Sequence, residues 1–215
     1  MKKVVIAVVL GLVFLTGCSV NGVRGRGDVV TNGFEVEAFS RLRVSGAYRV
    51  VWREADGFSV DVSMHENLFE YLDVVVVGDE LRIQSRRGLA VSGRNTPTIY
   101  VYSPSIEGVN VSGAVSLADW DLVSGEGFSI DVAGAASADL RLEVTDVRID
   151  MAGAGDVVLL GDIQTATVNI AGAGNVDIDV SETLSVDIAG AGSVRYGGNP
   201  YVTRRVAGVG TVRAR

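Results

Sequence analysis

The chain has 215 residues, 47% of them hydrophobic, which suits one domain with a continuous core. Its formal charge of -7 opposes a nucleic-acid partner, whose phosphates it would repel. Twenty-seven glycines against three prolines fit repeated tight turns and exclude collagen, and a single cysteine excludes an internal disulfide.

Residues 1–17 read as a lipoprotein-type signal peptide. Met1-Lys2-Lys3 is a short positive region, and Val4 to Leu15 is an apolar run too short to span a bilayer comfortably as a permanent helix. Leu15-Thr16-Gly17-Cys18 resembles a bacterial lipoprotein signal, in which the leader is removed before the cysteine and the thiol carries a lipid. Cys18 is therefore the expected lipid attachment site, with a membrane as partner through that anchor. Ser19 resembles the outer-membrane sorting signal of Gram-negative bacteria. Residues 18–33, rich in Gly, Val, Asn and Arg without periodicity, read as a flexible tether. The integrin-type tripeptide Arg26-Gly27-Asp28 lies inside it, a coincidence that three common residues produce easily.

The head domain is expected over 34–215. Its first half is strand-rich but irregular, with strands at Phe58 to Val62, Leu72 to Val77 and Leu81 to Ile83, and a loop or single helical turn at Met64 to Leu68. Leu42 to Ala47 is an early copy of a phrase that dominates the second half. Phe34, Phe39, Tyr48, Trp52, Phe58, Phe69, Tyr71, Tyr100 and Tyr102 cluster here, and closing the end of a core is a commoner use for them than a sugar-stacking platform. Arg86 to Thr96 reads as an exposed loop.

From residue 109 onward one phrase recurs, as VNVSGAV, IDVAGAA, IDMAGAG, VNIAGAG, VDIAGAG and RRVAGVG. Its anchoring glycines, Gly113, Gly134, Gly153, Gly172, Gly190 and Gly208, with Gly46 in the early copy, are the expected turn glycines, supplying positive φ where the chain reverses. The repeat spacings are 21, 19, 19, 18 and 18 residues, and apolar residues alternate within each copy. A fixed period of this size means one unit stacked on itself. In the coil from Gly153 to Ala171, Val157 and Leu159 alternate, Gly161-Asp162 makes a turn, and Val168 and Ile170 alternate again. The fold class is thus all-β: a single-stranded parallel β-helix of two sheets and about 18–21 residues per coil, right-handed by the crossover rule.

Columns at fixed offsets become ladders in such a stack. Two residues before the glycine stand Val111, Val132, Met151, Ile170, Ile188 and Val206, facing inward. Three before it stand Asn110, Asp131, Asp150, Asn169, Asp187 and Arg205, facing outward. The ladder Asn110, Asp131, Asp150, Asn169 and Asp187 is a candidate cation or sugar stripe, since carboxylates are hard calcium ligands. A linear column does not converge on one point, so a solvated face with asparagines easing repulsion is the simpler reading, and no metal is assigned. In the last copy Arg204 replaces an inward apolar residue and Arg205 an outward Asp or Asn, so charge there opposes end-to-end growth.

FSRLRVSGAYRVV, ENLFEYLDVVVVGDELRI, TIYVYSPSIEGVNVSGAV and the serial GAG turns, in that order over Phe34 to Val212, resemble the bacterial head GIN domain family of autotransporter adhesin heads. The resemblance implies a right-handed parallel β-helix similar to the pectin lyase type, on a secreted or surface-anchored protein with a role in adhesion. It carries over no catalytic residue. Ala or Val stands where many relatives have Ser in the turn, which bears on hydroxyl-dependent recognition and not on the fold.

The expected function is that of a non-enzymatic cell-envelope lipoprotein whose head adheres or binds a glycan or protein ligand at the cell surface, without a cofactor. A self-associating scaffold, homo-oligomeric through its sheet faces, is the second reading. A polysaccharide lyase or hydrolase is the third. It would need a unique base or carboxylate pair, whereas the carboxylates here follow the repeat, and the single histidine, His65, has no nucleophile motif near it.

Overall fold

The computed structural model describes residues 22–86, 89–90 and 96–215. The signal segment and Cys18 lie outside the described residues. The molecule is a nearly all-β solenoid of about six turns of stacked parallel coils. In chain order its strands are β1 (Val23–Arg24), β2 (Val29–Glu35), β3 (Arg41–Glu54) and β4 (Ser59–His65). A 3-10 turn (Glu66–Tyr71) leads into β5 (Leu72–Val77), β6 (Glu80–Ser85), β7 (Leu89–Ala90) and β8 (Thr98–Ser103). The repeats then supply β9 (Gly108–Leu117), β10 (Val123–Val132), β11 (Ala135–Met151) and β12 (Ala154–Ile170). Shorter strands finish the stack: β13 (Ala173–Asp179), β14 (Thr183–Ile188), β15 (Ala191–Gly197), β16 (Tyr201–Val206) and β17 (Val209–Ala214).

Each coil has a face before the anchoring glycine and a face after it. Pairing is parallel and residue upon residue: Asp150 meets Asn169 and Met151 meets Ile170 on the first face, and Val157 meets Val176 on the second. The early phrase is the first full coil, because β3 pairs β9 with Gly46 on Gly113. Alternation puts Val132, Met151, Ile170 and Ile188 inside, where they are fully buried with Val157, Val176 and Val194 opposite.

The sharp bend keeps its backbone hydrogen bonds: Ala171 N–H donates to the Met151 carbonyl (2.8 Å) and Ala173 N–H to that of Gly153 (2.9 Å). The glycines there act differently from expectation. Gly46 and Gly113 have φ of 144° and 117°, but Gly134, Gly153, Gly172, Gly190 and Gly208 do not have positive φ. In these five a Cβ would run into the carbonyl oxygen of the glycine one coil back. Close approach of stacked backbones, not a left-handed turn, requires glycine in the column. At the other corner Gly161, with φ of 132°, makes the bend expected at Gly161-Asp162, but β12 runs on through it with its ladder to Leu142 and Glu143 intact.

The N-terminal end is a cap. Beyond β3 the pre-glycine face adds β6 and then β5, and the post-glycine face adds β8, β4 and β2. The tether reading fails from Val29 onward: β2 begins there and pairs antiparallel with β4, placing Val30 against Met64 and Phe34 against Val60. Its Gly and Asn content hides the inward pair Val30 and Phe34. Within the loop expected at Arg86 to Thr96, β7 pairs with β1, and residues 87–88 and 91–95 lie outside the described residues.

Aromatics fill the capped end. Trp52 and Tyr48 are buried, Phe39 meets Phe58 edge-on at 5.4 Å, and Trp120 lies between Trp52 (6.2 Å) and Phe128 (6.3 Å). The Trp52 indole N–H donates to the Ser103 hydroxyl (2.8 Å), which donates to the Ser105 carbonyl (2.8 Å). At the other end Arg204, stacked on Val186, donates to the Val212 carbonyl (3.1 Å) and covers the last layer of the core.

Candidate binding edge

The sharp bend projects an Ala-Gly-Ala ridge down the molecule. Ala133, Ala152, Ala171 and Ala189 are exposed on its pre-glycine side, and Ala135, Ala154, Ala173 and Ala191 on its post-glycine side. Small residues are needed on this ridge because the faces converge there. Gly174 and Gly192, the second glycines of their turns, leave room for Met151 and Ile170 from across the core.

Beside the ridge stands the expected polar ladder. Asn110, Asp131, Asp150, Asn169 and Asp187 are stacked in register and half-buried. Arg43 continues the column above Asn110, and Arg205 continues it below Asp187. The column is knitted to itself: Asn169 Nδ2 donates to Asp150 Oδ1 (2.8 Å), and Arg148 donates to both oxygens of Asp150 (2.6 and 3.3 Å). Arg43 donates to Glu80 (2.9 Å) and, with Arg82, holds that carboxyl below the usual range.

Between ladder and ridge runs a groove of about 310 Å3. Asn110, Asp131, Asp150 and Asn169 form one wall and Ala133, Ala152 and Ala171 the other, with the backbone of Val132 and Met151, whose side chains are buried in the core, between them. Asp187 belongs to the same ladder one coil beyond the groove. Among the described residues no three His, Cys, Asp or Glu side chains are grouped to hold a metal ion, and no helix is long and apolar enough to cross a membrane. His65 sits in the cap, its Nδ1 2.9 Å from the Gly27 carbonyl oxygen.

A second ladder, missed in the sequence, flanks the ridge on its other side, three residues after each glycine. Ser137 donates to Ser116 (3.2 Å), Asn175 to Asp156 (2.7 Å) and Thr211 to Ser193 (3.1 Å). Its fixed offset was a readable signal, concealed by the change of residue type from coil to coil.

The family model described as "Putative auto-transporter adhesin, head GIN domain" matches residues 38–214. The chain belongs to the head GIN domain family. This head GIN domain is similar in fold to a structure described as a "putative adhesin" from Bacteroides fragilis. The two are 17% identical, with a TM-score of 0.74 over 90% of this chain and 100% of that one. A "putative adhesin" from Parabacteroides distasonis is 19% identical, with a TM-score of 0.56 over 91% and 100% of the two chains. A "putative lipid binding protein" from the same species is 16% identical, with a TM-score of 0.50 over 90% and 99%. No curated protein matches the chain. At these identities the structures bear on fold alone.

Proposed function

We propose that this head GIN domain is a non-catalytic, lipid-anchored surface head that binds an extended glycan or protein ligand along the Ala-Gly-Ala ridge. The observation that carries the reading is the groove in which a polar wall and a row of small residues repeat together over successive coils. A polymer lying along the solenoid axis meets an Asn or Asp side chain and an alanine methyl every ~4.8 Å, one strand spacing. The family's description as an adhesin head supports this role. A lipid on Cys18 holds the head at the envelope, at the outer membrane in a Gram-negative cell.

The test displays the full chain on bacterial cells against a panel of surface glycans and envelope proteins. Ala152→Trp, which fills the groove, is expected to abolish capture by the wild-type ligand, and Asp139→Lys, outside the groove, to leave it unchanged. Capture of nothing by the wild type, or equal capture by Ala152→Trp, overturns the proposal. Labelling with a fatty-acid analogue checks the anchor: the wild type takes the label and Cys18→Ser does not.

A further inference from the structure

Seven large apolar residues are exposed among the described residues, and six of them lie on the four outermost strands: Val29 on β2, Val75 and Val77 on β5, Tyr201 and Val206 on β16, and Val209 on β17. At both ends of the solenoid the final strands pair on one side only. Unpaired strand edges present free N–H and C=O groups, and proteins ordinarily blunt them with charge or cover them. Here the charges at the two ends have opposite sign. Residues 195–215 contain five arginines and no Asp or Glu, and Arg195 and Arg215 are paired with Asp177 and Asp179 of the preceding coil, which leaves Arg204, Arg205 and Arg213 as the excess. Residues 28–37, which include all of β2 and follow Arg24 and Arg26, contain three carboxylates and no base. The arginines expected to oppose end-to-end growth do so between two such tips; toward the acidic end of another copy the same charge attracts, and Arg204 gives up the Val212 carbonyl to the incoming strand.

We infer that this chain associates head to tail, the β17 edge of one copy receiving the β2 edge of a second copy as the next parallel strand. Direction and position both allow it. Since β8 runs parallel to β3, β4 antiparallel to β8, and β2 antiparallel to β4, strand β2 runs the same way as the repeats. The post-glycine face extends three strands beyond β3 and the other face two, so β2 is the outermost strand of its end and meets β17 first.

Strand alternation then fixes the partners. Val30, Asn32 and Phe34 stand opposite the buried Met64, Val62 and Val60 and so face inward, leaving Val29, Thr31, Gly33 and Glu35 outward. On β17, Val212 is buried and Val209, Thr211 and Arg213 face outward. In register, Val29 (51% exposed) covers Val209 (85% exposed), Thr31 meets Thr211, and Glu35 lies opposite Arg215 and diagonal to Arg213. Inside, Phe34 fits over Ala214 and Val30 over Gly210, large upon small. Asn32 on Val212 is the one unlike pair. Such a heterologous contact does not close on itself and grows along the axis.

The test is the molar mass of the full-length chain in mild detergent, by light scattering over a concentration series at low and high salt. Wild-type mass is expected to climb with concentration and to fall back at high salt. Val29→Lys and Val209→Lys each lose one edge and remain at the lowest mass alone. Mixed in equal amounts they retain one β2 edge and one β17 edge between them, and the mass doubles and then stops rising. The exposed charge changes Glu35→Arg, a reversal, and Thr211→Glu, which adds a carboxylate, repeat the design if a lysine variant loses its β-sheet spectrum. Constant wild-type mass, association of either variant alone to the wild-type extent, or a mixture no heavier than its components overturns the inference.

Discussion

Gly172 lies so close over Gly153 that a methyl group added to it would overlap the Gly153 carbonyl oxygen. The same relationship recurs from Gly113 to Gly208. Gly172→Ala is expected to destabilise the fold by about 1–3 kcal/mol, because neighbouring coils must part or shift. Gly57 has open space around it, and Gly57→Ala is expected to change stability by less than ~0.5 kcal/mol. Urea midpoints of the two variants, compared with the wild type, check the contrast.

Ser103 is fully buried and joins the Trp52 indole to the Ser105 carbonyl. Ser103→Ala leaves a buried indole N–H without an acceptor, at a cost of about 1–3 kcal/mol. Thermal unfolding should show it as a lower midpoint with Trp52 still packed against Trp120 in the folded protein.

Tyr48 is buried, and its hydroxyl has no hydrogen-bond partner. Burial pushes its pKa up to about 12. The folded state therefore holds the proton more tightly than the unfolded chain, whose tyrosines titrate near ~10. This contribution is complete below pH ~10 and is lost as pH rises toward 12, on the order of 3 kcal/mol in all. Tyr48→Phe is expected to be neutral or up to ~1 kcal/mol stabilising at pH 7, since it removes an unpaired polar group. It should also lack this alkaline loss. Denaturant titrations of both proteins at pH 8 and pH 11.5 decide the point.

Glu80 accepts from Arg43 and Arg82, and the Arg43 hydrogen bond is the larger cause of its lowered pKa. A depressed carboxyl adds stability above its unfolded pKa and loses it as pH falls through the folded value. Glu80→Gln is expected to cost at most ~1 kcal/mol at neutral pH, both arginines being partly solvated, and nothing once the wild-type carboxyl is protonated. Unfolding followed from pH 7 down to pH 2 shows whether the two curves converge.

The repeats were legible because a coil contacts its neighbours at one constant offset, so Val132, Met151, Ile170 and Ile188 carry the same signal four times. The cap was legible strand by strand, as at Leu72 to Val77, but its pairing was not, since Val29 to Glu35 pairs with Ser59 to His65 through a contact that nothing nearby in sequence announces. Glycine was identified for the right reason at Gly46 and Gly113 and for the wrong one at the other five anchors: a single strand shows turn potential, whereas a neighbouring Gly carbonyl exists only once coils are stacked. The Asn/Asp ladder was read as a column of loose charges. Arg148 and Asn169 tie down Asp150 at its centre by hydrogen bonds, with the apolar groove beside it.

Register at the glycine column also governs how this molecule can change length. Residues 154–172 span one period, from the residue after Gly153 to the next anchor, and Ala173 already lies on Ala154 in the stack. Excising that segment would join Gly153 to Ala173 with both ladders, the ridge and the core cross-section preserved. The two ends would come closer by one strand spacing, ~4.8 Å. The fold is in this sense a graduated stalk, whose reach can be lengthened or shortened in whole increments while the surface offered along it stays the same.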